Sequence, residues 1–410
     1  MHILFLTDNF PPEVNAPASR TFEHCREWVA AGHAVTVITC APNFPIGKLL
    51  GGYRNKLWQT EDMAGIRVVR VWSYITANDG FAKRVLDYVS YMVAASIAAL
   101  FVRRVDIVIG TSPQFFTVVA GWLTGALKRR PWIFELRDIW PESIKTVGAI
   151  ESGSVIRALE RLELFLYRTS TRVVAVTQAF RENLVVRGIE RAKIDVVTNG
   201  VDLSRYTPRP KDDALESLLG LQGKFVAGYI GTHGMAHSLE TLLDAAEILA
   251  RTPGGENIVI LLLGDGTRKA TLVEDATRRG LTNVRFEAWV PKDEVVRYWS
   301  LLDVSLIHLR ASELFETVIP SKMFEAMAMG IPMLMGVRGE AAAILHESGA
   351  GETFAPGDAQ ALADALLRLA ADREICARYA AAGIAAAPGF DRKVLAGRML
   401  AIIEAVVDRR

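Results

Sequence analysis

One rhythm governs the whole chain: a short run of β-branched and aliphatic residues, a turn rich in Gly, Pro or Asn, then an amphipathic stretch of helical period. In the first half the apolar runs fall at 2–7, 34–39, 68–71, 106–109, 132–135, 173–176 and 195–197. Helical stretches lie near 18–31, 82–103, 114–128, 154–169 and 178–188. In the second half the runs recur at 225–230, 258–263, 284–286, 304–307 and 333–335, again with helical segments between them. Strands that alternate with helices build parallel sheets, because each crossover lays a helix on a sheet face. Two such series in succession predict an α/β chain of two doubly wound domains. A length of 410 residues agrees, being too long for one ordinary core.

The break between the series lies in "NGVDLSRYTPRPKDDALESLLGLQGK", residues 199–224, polar and rich in Pro and Gly directly before a fresh strand. The predicted layout is a first domain over 1–200, a linker over 201–224, a second domain over 225–390, and a terminal helix over 391–410 that packs back on the first domain.

Half of the residues are hydrophobic and the formal net charge is +1, so no polyanion signature is present and nucleic acid is not an expected partner. Cys25, Cys40 and Cys376 are scattered without metal-ligand spacing, which suits a reducing cytosol. The opening "MHILFLTDNFPPE" lacks the basic start and long apolar run of a signal peptide. The stretch 87–104, "DYVSYMVAASIAALFVRR", has an uncharged centre short for a bilayer span, so a buried or interface helix is expected. Its bracketing cations Lys83, Arg84, Arg103 and Arg104 leave room for a helix resting on a membrane surface.

Ligands of open parallel sheets bind beyond the carboxyl ends of the strands, where helix N–H groups point outward. Three turns of the second half have that character. "GTHGMAHSLE" follows the run 225–230, where Gly231 and Gly234 would let backbone approach a ligand. "GDGTRK" follows 258–263, with Thr267 as an N-cap and Arg268 and Lys269 in the first helical turn. "IPSKMFEAMAMGIPML", residues 319–334, is a short apolar helix with Ser321 as N-cap and Lys322 at the positive end of its dipole. Each misplaced cation taken singly reads equally well as a solvated surface residue, the dipole penalty being only about 0.3–1 kcal/mol. Their coincidence at successive β–α turns points to an anion, and a diphosphate is the natural candidate. Glu325, three residues after Lys322, shares its face and would accept hydrogen bonds from neutral ribose hydroxyls. A plain intrahelical ion pair is the alternative. The chain has no Asp-x-Asp and no G-x-S-x-G, so neither a metal site nor a serine nucleophile is expected.

These residues carry a resemblance. "VVTNGVDLSRYTP", "VAGYIGTHGMAHSLETLLDAAEIL", "LLLGDG", "NVRFEAWVPKDEVVRYWSLLDVSLI" and "PSKMFEAMAMGIPML" resemble, in order, the retaining glycosyltransferases of family 4, whose fold is GT-B, two facing Rossmann-like domains. "DNFPPEVNAPASRTFEHCREWVAAGHAVTVIT", "APNFPIGKLLGGYRNKLWQTEDMAGIRVVRVWSY" and "ELRDIWPES" look like the branch of L-fucosaminyltransferases of bacterial surface-polysaccharide (O-antigen) assembly. The resemblance implies a UDP-activated N-acetyl-deoxysugar as donor substrate, no cofactor, and a glycan or polyprenyl-diphosphate-linked acceptor. It implies a cytoplasmic enzyme, with peripheral contact at the inner face of the membrane as an option.

It also implies roles. Glu325 would bind the ribose, and Ser321 and Lys322 the diphosphate. Gly231, Thr232 and His233, with Gly264 and Asp265, would face it, Arg268 or Lys269 adding positive charge; Val290 would border the uracil. Asn15, Ala16, Arg20 and Asn43 would lie on the acceptor side, and Asp138 and Arg137 near the reacting sugar. Three departures stand out. Thr317 replaces the family's first glutamate, leaving sugar recognition to Glu313 or Glu316. "THGMAH" replaces the usual Arg and Lys of the first turn, and Arg137 replaces a common His. The expected reaction transfers a sugar with retention, the leaving phosphate taking the acceptor's proton, in a site closed against water by the two domains. The alternatives are a UDP-sugar epimerase on the same fold and a non-catalytic nucleotide-sugar-binding subunit.

Overall fold

The computed structural model describes residues 1–44, 47–76, 81–139 and 153–408. Residues 45–46 of the "APNFPIGK" motif and 140–143 of "ELRDIWPES" therefore lie outside the described residues. The chain divides into two compact units, Met1–Asn199 together with Arg392–Arg410, and Gly200–Asp391.

The first unit holds β1 (His2–Leu6), β2 (Ala34–Cys40), β3 (Trp58–Met63), β4 (Ile66–Val71), β5 (Ile107–Thr111), β6 (Trp132–Leu136), β7 (Arg172–Ala175) and β8 (Ile194–Val196) in the order β3-β4-β2-β1-β5-β6-β7-β8. All neighbours are parallel except β3, which runs antiparallel to β4 at the edge. The strand alternation divides the core. Ile3, Phe5, Val35 and Val37 face one layer with Trp28 and the last helix, whereas Leu4, Leu6, Ile38 and Val108 face the other with Tyr91, Phe115 and Tyr167. The terminal helix Arg392–Asp408 lies against helix Ala16–Ala30, where Trp28 Nε1 donates to Ala396 O at 3.0 Å.

β3 has no counterpart in the sequence reading. Its residues WQTEDM are exposed or half-buried throughout, as an edge strand's can be, so no apolar alternation betrays it.

The second unit holds β9 (Phe225–Ile230), β10 (Ile258–Leu263), β11 (Val284–Glu287), β12 (Val304–His308), β13 (Met333–Gly336) and β14 (Gly351–Thr353), all parallel, in the order β11-β10-β9-β12-β13-β14. This is a Rossmann-like order whose direction of winding reverses between β9 and β12, and a crevice opens at the strand carboxyl ends at such a reversal. Residues 201–224 contribute helix Asp213–Leu219, with Leu215 and Leu221 buried in the core of this unit.

Candidate functional site

β9 and β10 pair from Phe225 opposite Ile258 to Ile230 opposite Leu263, so their turns leave the sheet side by side. Backbone bonds stitch those turns together. Gly231 N–H donates to Leu263 O at 2.9 Å, His233 N–H to Asp265 O at 2.8 Å, and Arg268 N–H to His233 O at 2.9 Å. No space remains for side chains at the contact. A Cβ on Gly264 (φ +145°) would lie 1.9 Å from Gly231 O, and one on Gly231 (φ +144°) would lie 2.7 Å from Lys322 Nζ.

β12 braces the first turn from the other side. His308 Nδ1 donates to His237 O at 2.7 Å while Nε2 accepts from Gly357 N–H at 3.0 Å, which fixes one neutral tautomer. Arg310 N–H adds a bond to Ala236 O at 2.9 Å.

Lys322 opens helix Lys322–Met329. Its Nζ sits 3.5 Å above the centroid of the Tyr229 ring, and Tyr229 is itself anchored by its hydroxyl donating to Thr232 O at 2.8 Å. That ammonium is shielded from solvent and has no hydrogen-bond partner among the described residues. Burial pulls its pKa down to about 7, against the opposing pull of Glu325 one turn further on. The ring face offsets only part of the desolvation cost, and the helix dipole adds to it. A bound anion would supply the missing acceptors and counter-charge. His233 stands beside it, buried, with neither ring nitrogen bonded among the described residues. Burial first, then Lys269 and Lys322, lower its pKa to about 4, so near neutrality it offers an uncharged N–H.

The structure thus gathers Gly231, Thr232, His233, Gly264, Asp265, Ser321, Lys322 and Glu325 at the carboxyl edge of β9 and β10. Val290 follows β11, half-buried against the core. Three expectations need correction. Lys269 is turned into the fold, its Nζ donating to Gly264 O and Glu287 O at 2.8 Å each, so it ties the ends of β10 and β11. Arg268 is paired with Glu240, its Nε donating at 3.1 Å. Of the three cations expected at these turns, Lys322 is the one without a hydrogen-bond partner among the described residues. Neither Thr267 nor Ser321 caps a helix through its side chain: the second helix starts at Lys269 after Arg268, and Ser321 makes no cap bond. Thr317 Oγ1 donates to Leu314 O at 2.7 Å, closing the short helix Glu313–Glu316 that carries both candidate sugar-side glutamates.

The two units match two family models in tandem. Residues 15–200 match the "Glycosyl transferase 4-like domain" and residues 224–372 match "Glycosyl transferases group 1". WcaI of Escherichia coli (strain K12), named as a glycosyl transferase of colanic acid biosynthesis, is 25% identical over 339 residues, covering 80% of this chain and 82% of its own. The chain is a glycosyltransferase.

WbjE of Pseudomonas aeruginosa, also named as a glycosyltransferase, is 26% identical to this glycosyltransferase over 266 residues, 64% of this chain and 65% of that one. Among solved structures, Anabaena Alr3699/HepE in complex with UDP and glucose shares the fold with TM-score 0.72 at 19% identity, over 98% of this chain and 99% of that one. Sucrose-phosphate synthase (tll1590) from Thermosynechococcus elongatus does so with TM-score 0.76 at 16% identity, over the full length of both. The pair of Rossmann-like units is of the GT-B class.

In the first unit of the glycosyltransferase, Arg137 and Asp138 follow β6, and both backbone N–H groups donate to Ser112 Oγ, at 2.7 and 3.2 Å. Arg137 Nη1 also donates to Pro17 O at 3.2 Å, and burial lowers its pKa to about 10. Asn15 caps helix Ala16–Ala30 by accepting from Ala18 N–H at 2.8 Å, and Asn43 N–H donates to Glu13 at 2.8 Å. Ala16 is exposed. Arg20 departs from its expected acceptor-side role. It is buried, with Nε donating to Glu135 at 3.0 Å and Nη2 to Val197 O at 2.9 Å, and is consumed as an internal clamp. Burial pushes Glu135 up, but Arg20 and Arg137 outweigh it and hold the carboxylate below its usual range.

Tyr229, His308 and Asp87 were not singled out from sequence. A tyrosine in the run "FVAGYI" and a histidine ending "VSLIH" read as core. Asp87, raised to about 7 by burial and then by Asp8, carried a signal: it is the one acid in the 81–101 stretch.

Proposed function

We propose that this glycosyltransferase moves an N-acetylated deoxyamino sugar of the L-fucosamine type from UDP to a glycan or polyprenyl-diphosphate-linked glycan, with retention of configuration and without a metal. The reading places the reaction in surface-polysaccharide assembly, in the cytoplasm or at the inner face of the membrane. The observation that carries the donor half is the buried ammonium of Lys322 against Gly231 and Tyr229, unbonded among the described residues. The polysaccharide half is supported by the relative named for colanic acid biosynthesis, and the nucleotide by the fold-mate solved with UDP.

Negative charge grows on the departing diphosphate as the anomeric bond breaks. In this reading Lys322, the N–H groups of its helix and the neutral His233 stabilise that charge in a site where water cannot screen it. Glu325 accepts from the ribose hydroxyls. Arg137 and Asp138 act from the first unit. The proton of the acceptor hydroxyl passes to the leaving phosphate on the same face of the sugar, so no enzyme nucleophile is required.

The test is a chelator-treated enzyme supplied with UDP-N-acetyl-L-fucosamine, UDP-N-acetylglucosamine or UDP-glucose, together with a membrane extract as acceptor source. Release of UDP and incorporation of sugar from the first donor alone is the expected result. Metal-dependent release would remove the Lys322 mechanism. Preference for either of the other donors would remove the sugar assignment while leaving the diphosphate site intact.

A further inference from the structure

Helix Phe81–Phe101 is a crossover of the first unit that presents the wrong kind of face to water. Surface helices of globular proteins turn polar residues outward. Here Leu86, Val93, Ile97, Leu100 and Phe101 are between 49% and 69% exposed. Their spacing at the helical period of ~3.6 residues puts them on one stripe, broken only by Ser90, for about 22 Å of helix. The opposite face is committed to the core: Tyr91, Ala95, Ala98 and Ala99 are buried, and the Tyr91 hydroxyl donates to Thr7 O at 2.7 Å. The helix is long and apolar enough to cross a bilayer. Crossing would strip that packed face from β1 and β2, so an orientation along a surface is the one that keeps the fold.

Aromatic residues extend the stripe at one end. Trp58, on the exposed edge strand β3, meets Phe101 edge-on with ring centroids 6.2 Å apart, and Leu57 beside it is 83% exposed. Cations bracket it. Lys83 and Arg84 precede it; Arg103 and Arg104 follow it and are exposed. Lys128 is bonded to the helix terminus through Val102 O at 2.7 Å and brings Arg129 and Arg130 to the same end. An apolar stripe with tryptophan at its margin and basic groups at both ends complements the interface of an anionic bilayer.

We propose that this face docks the enzyme on anionic phospholipid, lying in the plane of the membrane. Helix 81–101 runs from the carboxyl to the amino edge of the sheet, because it links the parallel strands β4 and β5. Its start therefore stands at the carboxyl edge with Asp87, Asn15 and Asn43. A membrane along this helix reaches the edge expected to receive the acceptor, which fits an acceptor whose own anchor is lipid.

The test is flotation of the full chain with vesicles of phosphatidylglycerol and with vesicles of phosphatidylcholine. The parent should float with the first and stay behind with the second. V93S/I97S/L100S should lose flotation, and R103S/R104S should weaken it by roughly fivefold per arginine removed. All substituted positions face solvent, so the melting profile and UDP affinity should match the parent. UDP affinity reports on the other unit, so failure of the donor reading shows separately. The proposal is overturned if the parent ignores phosphatidylglycerol, or if V93S/I97S/L100S floats as well as the parent. It is equally overturned if the parent is a dimer that this variant converts to monomer with flotation unchanged, since the face would then be a self-association surface.

Discussion

Replacing Lys322 by Met tests the donor site most directly, because the structure predicts opposite effects on folding and on binding. The pKa of Lys322 falls from 10.5 to about 7 through burial, with Glu325 opposing. At ~1.4 kcal/mol per pKa unit this is a penalty of order 5 kcal/mol for keeping the ammonium charged at this buried position. The sign follows from the lowered value: the fold disfavours the charged form, so the penalty is full below pH about 7 and fades as pH rises toward 10.5. Methionine fills the same space over Tyr229 with no charge to desolvate. The ligand-free variant should therefore melt at least as high as the parent at pH 6, with the difference shrinking by pH 9. UDP affinity should fall about ten- to hundredfold, the value of one charge-assisted hydrogen bond at about 1.5–3 kcal/mol. Above pH 7 the parent should also take up close to one proton as UDP binds, which titration calorimetry in buffers of different ionisation enthalpy detects; Lys322→Met should take up none. Unaltered UDP affinity in the variant, or binding by the parent without proton uptake at pH 8, would refute the reasoning.

Three further changes have defined outcomes. Gly264→Ala places a Cβ 1.9 Å from Gly231 O at a φ of +145°, so chemical denaturation should show a loss of at least about 1–3 kcal/mol, together with weakened UDP binding. Arg20→Met leaves the Glu135 carboxylate buried without its partner and should cost about 3–5 kcal/mol of stability at pH 7, less at pH 4, while UDP affinity is unchanged. Glu325→Ala should narrow the difference in affinity between UDP and 2′-deoxy-UDP; an undiminished difference counts against ribose recognition by this carboxylate.

The fold was legible wherever burial imposed an apolar run. The runs at 225–230 and 258–263 coincide with β9 and β10 residue for residue because both are buried throughout. β3 was not, since its exposed edge demands no such pattern. In the site, Lys322 announced itself by sitting at the wrong end of a dipole in an apolar helix. The same reasoning overreached for Arg268 and Lys269, whose misplacement is settled by Glu240 and by carbonyls at the ends of β10 and β11. Glu240 lies 28 residues from Arg268 and Glu287 lies 18 from Lys269, and they come together through the pairing of β9, β10 and β11. Arg20 erred for the same reason, its acceptors Glu135 and Val197 lying more than a hundred residues away.

The backbone bonds joining the turns after β9 and β10 set a rule for anyone redesigning this enzyme. Each loop is the mould of the other, so a segment transplanted from a relative into one of them alone would meet a template cut for a different shape. Exchange of nucleotide preference between such enzymes should succeed when both loops travel as a matched pair, and yield misfolded protein when either travels alone.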